Sequence, residues 1–139
     1  MRRLIAFALA VLMASIAACD HSAEQQRVDV GEVIADGRSF NGRQLVLHGC
    51  LDANPHGLTL ASCPSGSQRL VVLASDAIPP GQWSMLYAKA LTSKVQHHRS
   101  LAVTLCGTYR QAPDGRDSWL DVDDLAIDGD QENPSACGR

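Results

Sequence analysis

The residues of this 139-residue chain able to do chemistry are five cysteines, five histidines and an acidic stretch near the end. Thiolates and imidazoles hold zinc when they recur at short fixed intervals, but no Cys-x-x-Cys pair exists, and the spacings fit neither a zinc ribbon nor a finger. Among the histidines, His21 lies in a polar segment, His56 in a turn and His48 on the outward face of a strand. His97 and His98 are adjacent, so they do not share a helix face as an i, i+4 pair would. They read as surface or capping residues. The run Asp114, Asp117, Asp121, Asp123, Asp124, Asp128, Asp130 and Glu132 suggests calcium, yet Asp128-Gly129-Asp130 is only a fragment of the Asp-x-Asp-x-Asp-Gly loop. Solvated strand faces and turns account for it better. A Gly-x-Ser-x-Gly elbow, a His-Glu-x-x-His pair and a phosphate-cradling glycine loop are all missing. The chain reads as a non-enzyme without metal or cofactor.

The amino-terminal residues say more. Met1-Arg2-Arg3 is basic, and an apolar run follows from Leu4 to Ala18. Basic, apolar and small residues in that order make a secretory signal peptide. A run of fifteen residues falls short of the ~20 apolar residues needed to span a bilayer. Ala14, Ala17 and Ala18 would allow ordinary cleavage at an Ala-x-Ala-like site. Ser15-Ile16-Ala17-Ala18-Cys19, however, resembles the lipobox of bacterial lipoproteins. The resemblance implies removal of residues 1–18 and attachment of lipid to Cys19. Two or more acyl chains, at about 0.8 kcal/mol per buried CH₂, would then hold the domain on a membrane. The implied location is the bacterial cell envelope, facing the periplasm. Asp20 resembles the residue that favours inner-membrane retention in some such lipoproteins, whereas other lineages sort by different positions.

Processing changes the electrostatics. Arg2 and Arg3 leave with the signal, so ten basic residues face all fifteen acidic ones and the net charge moves from −3 to −5. A nucleic-acid surface demands a Lys/Arg footprint, so this balance excludes that class of partner. With Cys19 assigned to lipid, Cys50, Cys63, Cys106 and Cys137 form an even set. In an oxidising compartment an even set reads as disulfides, with three connectivities open.

The elements that position these residues follow in order. Residues 19–29 are polar and aperiodic and read as a flexible tether. Val30 to Phe40 permits a short amphipathic helix interrupted near Gly37. Arg43 to Leu51 alternates, with Leu45, Leu47 and Leu51 on one face and Val46, His48 and Cys50 on the other. A turn at Asn54-Pro55-His56-Gly57 leads to a second strand, Leu58 to Ser62. A two-residue turn at His56-Gly57 would set Cys50 directly opposite Cys63, which favours that disulfide and leaves Cys106 for Cys137. A one-residue bulge would aim the pair apart. Gln68 to Ala74 is a third strand, Ile78-Pro79-Pro80-Gly81 a break and Trp83 to Lys94 a helix. Leu101 to Tyr109 is a fourth strand, and Trp119 to Ile127 a fifth with an irregularity at Asp123-Asp124. Residues 131–139 form a polar tail.

Three strands, a helix and two strands give a mainly β chain with the connectivity of the OB-fold, a five-stranded Greek-key barrel. Residues 30–130 are the expected domain, a small β-sandwich being the alternative. Asn41-Gly42-Arg43-Gln44-Leu45-Val46-Leu47-His48-Gly49 resembles the opening of bacterial OB domains, and Val103-Thr104-Leu105-Cys106-Gly107 repeats the theme. Gly49 and Gly107 then stand where a strand must bend. Single-strand-binding OB domains need a basic groove with stacking aromatics, which this composition does not supply. The expected function is a non-catalytic envelope binding module for a protein, peptide or glycan. Trp83, Tyr109 and Trp119 are its candidate anchors, or else plugs for the barrel ends. A structural or inhibitory envelope protein acting on an exported partner is the alternative.

Overall fold

In the strand running from Gln44 to Asn54, Leu45, Leu47, Leu51 and Ala53 are buried while His48 is exposed, so the alternation of the sequence becomes an inside and an outside. The computed structural model describes residues 26–64 and 66–129. They form β1 (Gln26–Asp29), α1 (Val30–Ala35), α2 (Gly37–Phe40), β2 (Gln44–Asn54), β3 (Gly57–Ala61), β4 (Leu70–Ala74), α3 (Pro80–His97), β5 (Leu101–Gln111) and β6 (Ser118–Ile127). The sheet runs β2–β3–β4–β6–β5, and β5 pairs back onto β2. That closes a five-stranded barrel with the OB-fold order. The β4–β6 pairing is parallel and the other four are antiparallel.

Closure requires sharply curved strands, and two glycines supply the clearance. A Cβ on Gly107 would land on the Asp121 carbonyl, and one on Gly49 would lie 2.7 Å from the Ala61 carbonyl oxygen. Opposite Gly107 the β5–β6 register slips: Cys106 faces Asp124 and Gly107 faces Val122. Asp123 is thereby left over as a bulge, at the irregularity expected there.

The interior is aliphatic: Leu45, Leu47, Leu51, Leu60, Leu70, Val72, Val103, Leu105, Leu120 and Val122 are at most 1% exposed. Each such burial contributes on the order of 1.5–3 kcal/mol before chain entropy is counted. Val30, Val33 and Phe40 close the barrel where β2 begins, and Leu86 and Ala90 of α3 close it where β2 ends. At that far end Tyr87 Oη donates to the Asn54 carbonyl at 3.0 Å and Lys94 Nζ to the Ala53 carbonyl at 3.0 Å.

Several expectations need correction. Helix α3 starts at Pro80, inside the expected break, because the first helical position loses nothing when its residue has no N–H. It runs to His97, and His98 ends it in the left-handed region with φ 51°. The last four residues of the expected tether, Gln26 to Asp29, are strand β1, paired in parallel with Leu45 to His48. β3 reaches only as far as Cys50 along β2, so the first half of β2 has a free edge that β1 fills. Only Val28 of β1 packs against the core, which is why its sequence shows no alternation.

The hairpin turn is also displaced. It lies at Pro55-His56, with Asn54 opposite Gly57, so Cys50 faces Ala61. Cys50 and Cys63 are nonetheless bonded, with Cα atoms 5.1 Å apart. Shifting a hairpin turn by one position moves the register by two, which preserves the face on which each side chain stands. Cys63 therefore remains on the side of Cys50, just beyond the end of β3, where the chain curls through a Gly66 N–H to Ser62 carbonyl bond of 2.7 Å. Cys106 is disulfide-bonded too. Its expected partner Cys137 lies outside the described residues, as do Cys19, residues 1–25 and the 131–139 tail.

Candidate functional site

Register alone assembles a row of outward side chains across the barrel wall: Thr59 of β3 opposes Val71 of β4, Val71 opposes Trp119 of β6, and Trp119 opposes Arg110 of β5. Leu73 continues the row along β4, opposite Asp121. Val71 and Leu73 are 45% and 47% exposed, although they belong to an apolar run of four residues. Strand β4 is covered on its inner face only, through Leu70 and Val72. The indole N–H of Trp119 donates to Asp121 Oδ1 at 3.1 Å, and Arg110 Nε donates to Asp121 Oδ2 at 3.4 Å. One carboxylate thus fixes an aromatic plane beside two exposed aliphatic side chains. The connections at 55–56 and 112–117 border this face. It is the wall through which OB barrels hold their ligands.

The three aromatic candidates do not converge. Trp119 stands on this wall. Trp83 lies on α3, packed partly against the core. Tyr109 is 1% exposed, with its hydroxyl where a Cβ on Gly37 would fall, so it plugs the barrel beneath α2 and cannot anchor a ligand.

Beyond β3 the same wall deepens into a cavity of about 720 Å³ between β2, the 62–69 loop and the α3–β5 turn. Asp52 is at its edge, its side chain 15% exposed. Arg69 Nη1 donates to Asp52 Oδ2, and Lys94 Nζ lies 3.2 Å from Oδ1. Burial pulls the Asp52 pKa up, but the hydrogen bonds and charges of Arg69 and Lys94 outweigh it and hold the carboxyl below its ordinary value. His48, outward as expected, pairs with Asp128 at 2.7 Å. Asp52, Arg69 and Lys94 escaped the sequence reading because they are separated by 17 and 42 positions, beyond any local motif.

Among the described residues no group of three or more His, Cys, Asp or Glu side chains is placed to hold a metal ion, and no helix is long and apolar enough to cross a membrane. No protein-family model and no curated protein matches the chain.

Proposed function

We propose that this protein is an exported, lipid-anchored, non-catalytic binding module that holds a protein or peptide segment on the β3–β4–β6 wall of its barrel. The observation that carries the reading is the pair Val71 and Leu73, exposed on one strand beside Trp119. Exposed aliphatic residues next to a fixed indole suit an apolar partner surface, because neighbouring exposed apolar side chains mark interaction sites and tryptophan is among the residues whose truncation costs binding most. Lipid on Cys19 would keep the module at the membrane, and the polar residues after it would let it reach partners nearby.

The test is capture from solubilised envelope membranes with wild type and a Val71→Asp, Leu73→Asp double variant. One stoichiometric partner recovered with wild type and lost with the double variant supports the reading, given unchanged unfolding behaviour. Equal recovery with both chains would sink it, and a co-purifying glycan would move the function to another ligand class.

A further inference from the structure

The cavity on the far side of β3 is a second site that the wall does not use. Its apolar lining is the Cys50–Cys63 disulfide, Pro64 and Ala102. Its cations are Arg69 before β4, Lys94 of α3 and Arg99 of the α3–β5 turn. Among the described residues Asp52 is the only carboxylate in the lining, so three positive side chains, two of them held by Asp52, accompany one negative charge in a chain that is acidic overall. Asp52 leaves much of the donor capacity unspent: a guanidinium carries five N–H groups, and Arg69 gives Asp52 only its Nη1. The Arg99 side chain has no hydrogen-bond or ion-pair partner among the described residues. The pairing with Asp52 also holds Arg69 and Lys94 in place before any ligand arrives, which lowers the cost of ordering them.

From this we infer that the cavity binds an organic carboxylate attached to an apolar body about the size of a dipeptide. The planar forks of Arg69 and Arg99 match a carboxylate with two parallel hydrogen bonds, which a lone ammonium cannot do. The disulfide, proline and alanine give the rest of the ligand a dry surface, and the volume lies within the range of small-molecule sites. The inference does not depend on the β3–β4–β6 wall binding anything.

The experiment is a titration of the isotope-labelled full chain in detergent, followed by NMR, with N-acetyl-Phe-Ala, its C-terminal amide and inorganic phosphate as probes. The free acid is expected to shift the resonances of Arg69, Arg99 and Ala102, and the amide to bind at least tenfold more weakly. Arg99→Ala should weaken the acid tenfold or more, whereas Arg38→Ala on α2 should leave its affinity unchanged. Arg99 is exposed, so its loss does not threaten the fold, and an unchanged spectrum elsewhere checks this. Equal affinity for acid and amide, or no shift at millimolar acid, overturns the proposal. So does tighter binding of inorganic phosphate, which would make the site a phosphate pocket.

Discussion

Asp52 shows how a single residue couples the surface to stability. Its carboxyl is held below the ordinary value of 3.8, so the folded state binds its proton less readily than the unfolded chain. The stabilisation is therefore present above the unfolded pKa, about 3.9, and is lost as pH falls through the lower folded value. Asp52→Asn should lower unfolding stability at pH 6, and the gap from wild type should narrow steadily as the pH is taken below 3.8, as read by denaturant melts across that range. A gap independent of pH would mean that the Arg69 and Lys94 contacts are electrostatically idle. Gly107 acts through space instead of charge. The neighbour that a Cβ would strike there is the backbone of β6, which cannot rotate away. Gly107→Ala should cost about 3 kcal/mol or more, at the upper end of overpacking penalties, with a matching loss in thermal midpoint. Both residues were visible in the sequence to different degrees. Gly107 was marked by its likeness to a known strand motif, while Asp52 was one unremarked acid among fifteen.

At the scale of elements, the β2–β3 hairpin and its disulfide illustrate how a conclusion can survive an error in register. Cys50 lies opposite Ala61, but the two-residue displacement kept Cys63 on the same face and the bond forms past the strand end. It closes a loop with a separation of 13 residues. Replacing both cysteines by serine should cost on the order of 3 kcal/mol in denaturant unfolding, and a loss below about 1 kcal/mol would show that the staple constrains little. Periodicity revealed β2, β5 and α3 because each is long and covered on one side. It missed β1, a four-residue strand whose pairing comes entirely from a vacancy along β2. Pro80 misled in the other direction, since a residue that breaks a helix interior is welcome at its first position.

For the molecule as a whole, the reading turns on where the domain is held. A Cys19→Ser variant should be released from membranes or left unprocessed; fractionation that finds it processed and bound as before would remove the anchor from the proposed function. A lipidated Cys19 would leave only six residues before β1, a reach of about 25 Å at full extension from Cys19 to Gln26. Gln26 pairs with Leu45 at the α1–α2 end of the barrel, so such a linker would enter the domain at that end.

The alternation of β2 and β5, the spacing of turns and the likeness of the glycine-bearing strands to OB domains pointed, from the sequence alone, to a mainly β chain of OB connectivity, with a small β-sandwich as the alternative. The β2–β5 pairing that closes the barrel decided between them. The sequence signals are local, set by side-chain period and backbone clearance within a few residues. Which faces of that barrel stay exposed was decided only in three dimensions. Val71 and Leu73 look like core in a run of apolar residues, and become surface because β4 has a neighbour on one face alone. Tyr109 looks like a binding aromatic and becomes core because α2 folds over it. Asp52, Arg69 and Lys94 meet because barrel closure brings three distant segments to one cavity, and no local period encodes that meeting.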